Sequence, residues 1–227
     1  MPTATDNTAA HNSEPSGCAE CEPQILMSMA AAQALLLIDL QAAFVTGDRA
    51  VPGAEALLGS AQRLLSGARQ AGSLVVHLQN DGQAGAADEP GKPGWELCLR
   101  PLPGEPVLRK ARDDGFLGTD LGAILVAHRV SRVVLAGVMS EMCVSATART
   151  ALDRGYRVVL PQDAHGTYDI PAGPGFDQDV PAAVAARVAE WSLGDQVELV
   201  PGSDEVSFEH AYGDSEKYER SIEARTE

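Results

Sequence analysis

The chain has 227 residues, 44% of them hydrophobic, and a formal net charge of −15. This length and composition predict one domain with a sizeable buried core. The acidic balance and the lack of a basic stripe exclude a nucleic-acid-binding role. We find neither a signal-peptide pattern nor an apolar run of bilayer length, so we expect a cytoplasmic protein with no membrane partner.

Much of the negative charge lies at the two ends of the chain. Residues 1–24 hold four acidic and no basic residues, and their Thr, Asn, Ser and Pro content predicts a disordered tail. Residues 201–227 hold eight acidic and three basic residues and are predicted to form an acidic tail. Residues 25–200 are therefore expected to form the domain. The tails either aid solubility or help to attract a cationic substrate.

Strands and helices alternate between the tails. We predict strands over 34–40, 73–78, 105–110, 131–138, 156–164 and 196–200. Helices are predicted over 53–71, 118–129, 141–154 and 177–191. A Gly- and Pro-rich loop over 81–98 is long enough to suggest a functional role. This order predicts an α/β protein, a three-layer α/β/α sandwich around a mostly parallel, Rossmann-like sheet.

Three reactive side chains are predicted at the carboxyl edge of that sheet. Asp39 follows an aliphatic strand, Lys110 ends another, and Cys143 begins a helix after a third. Each alone has a structural explanation: a turn carboxylate, a solvated amine and a packed thiol. Together they suggest a thiol nucleophile with a base and a cation. Ser140 is expected to cap the helix, and its dipole and Lys110 to lower the pKa of the thiol.

The other cysteines carry less information. Cys18 and Cys21 form half of a zinc motif at most, and neither a second pair nor a histidine pair completes it. We interpret them as an incidental pair with reduced thiols. A resolving cysteine near Cys143 is missing from the sequence, which argues against a thiol redox protein.

Three segments resemble the isochorismatase-like cysteine hydrolases, a family that includes nicotinamidases and other amidohydrolases. They read "LLLIDLQAAF", "VLRKARDDGFLGTDL" and "LAGVMSEMCVSATARTALDRGYRVVLPQDA". The resemblance covers residues 33–200. It implies an isochorismatase-like fold and a catalytic triad of Asp39 as base, Lys110 as thiolate stabiliser and Cys143 as nucleophile. It also implies a cis peptide before Met139, an oxyanion hole built from the N–H groups of Met139 and Cys143, and a homo-oligomer, either a dimer or a tetramer.

The chain also departs from the family pattern. Asn80 and Gly82 stand where nicotinamidases place an Asp and a His that bind a metal. We therefore predict no metal and no other cofactor, and nicotinamide becomes an improbable substrate. His77 is interpreted as an oriented strand histidine. Asp114 replaces a usual Ser, either as a turn residue or as a contact to a cationic substrate.

The resemblance thus predicts a metal-independent cysteine amidohydrolase that cleaves a C–N bond of a small-molecule amide. One branch of the family hydrolyses the lactam of the cationic antibiotic streptothricin, and the segment "DGQAGAADEPGKPGWELC" resembles a subset with a similar loop. The alternatives are vinyl ether hydrolysis of the isochorismatase type and a non-catalytic binding module. The candidate substrate contacts are Phe44, Gln79, Trp95, Asp114, Phe116, His165 and Tyr168. For each aromatic residue the alternative is a packing role, and for His165 it is capping or packing.

Overall fold

The computed structural model describes residues 31–211, which are organised around one parallel β-sheet. Its strand order is β3-β2-β1-β4-β5-β7, and the short β6 pairs with β4. The strands are β1 (Ala34–Ile38), β2 (Leu74–Asn80), β3 (Val107–Lys110), β4 (Arg132–Val138), β5 (Arg157–Pro161), β6 (His165–Gly166) and β7 (Val197–Val200). The predicted parallel sheet is confirmed.

Helices cover both faces of the sheet. They are α1 (Ala42–Val45), α2 (Ala54–Ala71), α3 (Leu121–Ala127), α4 (Ser145–Asp153) and α5 (Ala182–Ser192). All five residues of β1 are buried, as a strand covered on both faces requires. Leu36 and Ile38 belong to the core layer that includes α3 and α4, whereas Leu35 and Leu37 belong to the layer on α2. The three-layer architecture is confirmed.

The fold also contains elements that the hydrophobic pattern does not predict. The predicted helix over 141–154 begins with a π-helical turn over Ser140–Val144, and α4 continues it. The two-residue β6 and the one-turn α1 are too short to leave a periodic signal. Among residues 31–211, no helix is long and apolar enough to cross a membrane.

The C-terminal boundary differs from the prediction. Residues up to 211 lie on the domain instead of beginning a tail at 201, because backbone pairing and an aromatic side chain hold them there. Ala32 N donates to Ser207 O at 2.9 Å, and Glu209 N donates to Ala32 O at 2.9 Å. Phe208 packs against the α2 layer. The predictions for residues 1–24, including Cys18 and Cys21, and for residues beyond 211 lie outside the described residues.

Candidate active site

The structure brings Asp39, Lys110 and Cys143 into contact, as their strand ends predicted. Lys110 Nζ lies 2.8 Å from Asp39 Oδ2 and donates a hydrogen bond to Cys143 Sγ at 3.3 Å. It also donates to Arg112 O at 3.1 Å. The Lys110 and Asp39 side chains are 0% and 3% exposed, so their ion pair is shielded from water.

The backbone around these residues is unusual. Asp39 leaves β1 with a φ of +52°, and the Val138–Met139 peptide bond is cis, as the resemblance implied. Gly137 has a φ of +144°, and a Cβ at this position would overlap the Ile38 carbonyl oxygen. Only glycine allows β4 to lie this close to the end of β1, where Asp39 begins.

Cys143 lies in the π-helical turn that precedes α4. Val144 N donates to Met139 O at 3.2 Å, a bond that spans five residues. The expected Ser140 cap is wrong: the residue that precedes the turn is Met139, and it makes no side-chain cap. Ser140 Oγ is instead hydrogen-bonded to His165 Nδ1 at 2.8 Å. The oxyanion hole at Met139 and Cys143 stays a prediction.

Burial dominates the electrostatics of the site. It raises the pKa of the Cys143 thiol to about 12, with help from the Asp39 charge and against the effect of Lys110. The expected lowering is therefore wrong for the resting site. Burial also raises the pKa of Asp39 above its usual range, although the Lys110 ammonium opposes this shift. Asp39 Oδ1 is buried and has no hydrogen-bond partner among residues 31–211. The thiol thus rests protonated beside an acceptor oxygen.

Two of the predicted substrate residues line one cavity. Phe44, which follows Asp39 in α1, and Tyr168, which follows β6, both face a cavity of about 630 Å³. Tyr168 Oη donates to Arg49 O at 2.9 Å, which fixes its ring. The structure therefore joins two distant segments at the carboxyl edge of the sheet.

Trp95 and Gln79 hold the 81–98 loop in place. Trp95 Nε1 donates to Asp81 Oδ1 at 3.0 Å, and the Arg109 guanidinium lies 5.2 Å from the ring centre. Gln79 is buried and donates to Trp95 O at 2.9 Å. The amide of Gln79 therefore supports the loop from below.

The other three predicted contacts point into the protein. Phe116 is buried in the core and stacks on Tyr156 at 6.2 Å. The Asp114 carboxylate accepts hydrogen bonds from Phe116 N and Thr150 Oγ1, each at 2.9 Å, so it closes a turn onto α4. His165 is buried, with Ser140 on one ring nitrogen and Glu190 Oε1 3.4 Å from the other.

Sequence reasoning missed two polar residues at this edge. Asp113 Oδ1 lies 3.8 Å from Cys143 Sγ, where Asp114 was expected. Gln41 is fully buried: its side chain donates to Asn80 O and Trp95 O, both at 3.0 Å, and accepts from Asn80 N at 2.7 Å. The only sequence signal for Gln41 is its position, since it is a polar residue two positions after Asp39 at the end of a strand.

Histidine and acidic side chains near the family's metal position have other partners. His77 is buried and its Nε2 lies 3.1 Å from Glu105 Oε2, which supports its interpretation as an oriented strand residue. A side chain at Gly82 would overlap the carboxylate of Asp88. Within the described part of the chain, no group of three His, Cys, Asp or Glu side chains is placed to hold a metal ion.

Sequence comparison shows close relatives. Two streptothricin hydrolases from Streptomyces noursei are 60% and 58% identical to the chain. Each match covers 78% of this chain, and they cover 71% and 64% of the relatives, so the chain spans less than two thirds of the second. A maleamate amidohydrolase from Pseudomonas putida is 32% identical over 59% of this chain and 71% of its own length.

Structure comparison agrees with the sequence comparison. The crystal structure of an isochorismatase from Pseudomonas putida KT2440 superposes with a TM-score of 0.71 and 29% identity, over 77% of this chain and 90% of that one. The sequence profile of the isochorismatase domain matches residues 33–173, which include Asp39, Lys110 and Cys143. The chain belongs to the isochorismatase family and is a hydrolase.

Proposed function

We propose that this enzyme hydrolyses a small-molecule amide through a thioester on Cys143. One observation carries the proposal: Lys110 Nζ is within 2.8 Å of Asp39 Oδ2 and within 3.3 Å of Cys143 Sγ. A buried acid, a buried ammonium and a thiol in contact can transfer a proton and stabilise the resulting thiolate. The amidohydrolase relative supports hydrolysis of a carbon–nitrogen bond other than a peptide bond.

The first half of the reaction forms the thioester. Asp39 accepts the thiol proton as Cys143 Sγ attacks the carbonyl carbon, and Lys110 offsets the charge that forms on sulfur. The carbonyl oxygen takes up the electron pair as an oxyanion, for which the N–H groups of Met139 and Cys143 are the proposed donors. The oxyanion collapses, the C–N bond breaks, and the leaving amine takes the proton from Asp39.

The second half regenerates the thiol. Asp39, again a carboxylate, removes a proton from water as the water oxygen attacks the thioester carbonyl. The C–S bond then breaks, a carboxylic acid leaves, and Cys143 recovers its proton. One water is consumed for each amide, and the residues named here need no metal or cofactor to balance the reaction.

The proposed substrate is the cyclic amide of a cationic antibiotic such as streptothricin. The two relatives at about 60% identity are named for that substrate, and the match covers 78% of this chain. Ring opening of a lactam adds one water and releases no second product. A linear carboxamide would instead release ammonia or an amine, so the mass of the product separates the two substrate types.

Mass spectrometry of the reaction tests this proposal. Wild-type, Cys143→Ala and the matched control Cys98→Ala are incubated with a streptothricin-type lactam and with linear carboxamides. We expect the lactam to gain 18 Da with wild type and Cys98→Ala, and the rate to fall by at least about 10³-fold in Cys143→Ala. Circular dichroism verifies that both variants fold.

The outcomes are distinct. Hydrolysis of only linear carboxamides would preserve the thiol mechanism and reject the lactam. Wild-type rates in Cys143→Ala would reject the thiol mechanism. Hydrolysis of a vinyl ether added to the same panel, with no amide cleaved, would reject amide hydrolysis.

A further inference from the structure

Asp88 is a buried carboxylate that the proposed reaction does not use. It lies in the 81–98 loop, is 7% exposed, and its Oδ2 accepts a hydrogen bond from Asn80 Nδ2 at 2.7 Å. Within residues 31–211 no Lys, Arg or His forms an ion pair with it. The other buried acids differ, since Asp39 pairs with Lys110 and Glu190 with Arg187. A buried carboxylate with only an amide partner is costly unless something else compensates its charge.

The position of Asp88 is built into the loop. Gly82 N donates to Asp88 O at 3.0 Å, and any side chain at position 82 would collide with the Asp88 carboxylate. The loop itself is fixed to the sheet by Gln41 and Gln79, which both donate to Trp95 O. The carboxylate is therefore held in place before any ligand binds.

The cavity of about 630 Å³ that Phe44 and Tyr168 line also includes Asp88. Two further carboxylates, Asp48 and Asp169, and one guanidinium, Arg49, line it. Asp169 Oδ1 already accepts a hydrogen bond from Ala182 N at 2.7 Å. The cavity thus combines aromatic walls with an excess of negative charge, the combination that attracts organic cations.

Residues that line this cavity are linked to the triad through the chain and the sheet. Asn80, which holds Asp88, pairs with Lys110 in the β2–β3 register, and Phe44 lies five residues after Asp39. The Asp88 charge also acts on Asp39. Burial is the main cause of the raised pKa of Asp39, and the Asp88 charge contributes to it. The subsite requires that a substrate whose carbonyl lies at Cys143 extend past Asp39 towards Asp88.

We propose that Asp88, Phe44 and Tyr168 form a subsite for an ammonium or guanidinium group of the amide substrate. The cation would complete the ion pairing that Asp88 lacks and pack against the two rings. This inference rests on the proposed amide hydrolysis and adds to it the residues that bind the cationic group of the substrate. It assigns the recognition of cations to one cavity of the folded domain and does not depend on any attraction of the substrate by the acidic tails.

A series of matched amides tests the subsite on the full-length protein. Lactams that carry a terminal amine, separated from the ring by a chain of two to five methylene groups, are compared with their N-acetylated, neutral counterparts. We expect a lower KM for the amines at one preferred length. Asp88→Asn should raise that KM by about 10- to 100-fold and leave the N-acetyl amides unchanged. Asp195→Asn removes an exposed charge that does not line the cavity and is the matched control.

Two measurements separate the subsite from the reaction. Calorimetry on Cys143→Ala measures binding of the same amides without turnover. Inhibition of the wild-type enzyme by pentylamine is also compared with inhibition by pentanol, a test that requires no cavity variant. Binding that depends on charge and on Asp88, without hydrolysis of any amide, would reject the proposed function and retain the subsite. Hydrolysis with equal KM for the amine and the N-acetyl amide would retain the proposed function and reject the subsite. An equal loss for both amide series in Asp88→Asn would show a structural role and overturn the subsite.

Discussion

Replacing Lys110 with Met tests whether the buried ion pair supports the fold as well as the site. Met matches the length of the aliphatic stem but removes the ammonium that lies 2.8 Å from Asp39 Oδ2. The Asp39 carboxylate, 3% exposed, would then be buried without a cation. Breaking a buried pair from one side costs about 3–5 kcal/mol, so we expect Lys110→Met to lose this much free energy of unfolding at pH 8.

The pH dependence of this loss has a defined sign. Burial raises the pKa of Asp39 even in the presence of Lys110, and the variant removes the charge that opposes the rise. A carboxyl group whose folded pKa exceeds its unfolded pKa of about 3.9 stabilises the fold at low pH. That contribution is lost as the pH increases through the folded pKa. The difference between Lys110→Met and wild type should therefore shrink as the pH falls from 8 to 5.

Urea unfolding of a double-mutant cycle measures both effects. Wild type, Lys110→Met, Asp39→Asn and the double variant are unfolded at pH 8 and pH 5, and equal slopes verify that the same surface is exposed. We expect the double variant to recover most of the loss, because no charge remains buried. Additive costs that do not vary with pH would refute the claim that an unpaired Asp39 carboxylate causes the instability.

Two further predictions concern the thiol and the close approach of two strands. With a thiol pKa of about 12, Cys143 should react slowly with iodoacetamide at pH 7 and about tenfold faster per pH unit up to pH 10, as measured on its peptide by mass spectrometry. A plateau below pH 9 would contradict burial of a protonated thiol. Gly137→Ala should lose about 3 kcal/mol or more of unfolding free energy, because its Cβ overlaps Ile38 O. Gly85→Ala, at a φ of +90° with open space around it, is the control and should lose about 1 kcal/mol. Equal losses of unfolding free energy in the two variants, measured by thermal or urea unfolding, would mean that backbone strain alone causes both and that the overlap with Ile38 O adds nothing.

The strand ends of the site are predictable because the parallel sheet fixes them. A continuous apolar run such as residues 34–38 is typical of a strand covered on both faces, and the structure places helices on both. The carboxyl ends of parallel strands share one edge, so Asp39 and Lys110 were expected on that edge. Their contact also depends on the strand order, in which only β2 separates β1 from β3, and the hydrophobic pattern does not determine that order.

The directions of side chains inside turns could not be predicted from the local sequence. Asp113 and Asp114 are adjacent acids in one turn, and the sequence gives no reason to prefer either. Thr150 on α4 decides between them, because it donates to Asp114 and leaves Asp113 beside Cys143. Ser140 is of a residue type that often caps helices, but its Oγ lies 2.8 Å from His165 Nδ1 and forms a hydrogen bond there instead. In both cases the deciding partner is at least 25 residues away, and a local pattern does not contain it.

The thiol pKa shows why the resting site and the reacting site must be treated separately. Lys110 was expected to lower this pKa, yet burial and the Asp39 charge outweigh it, so the thiol rests protonated. The Lys110 charge is already paired with Asp39, which leaves little of it to stabilise a thiolate in the resting site. Once Asp39 accepts the thiol proton, that pairing is lost and the ammonium faces the sulfur alone. Proton transfer to Asp39 would thus both release the nucleophile and free the charge that stabilises it, which links activation of Cys143 to the presence of a carbonyl that it can attack.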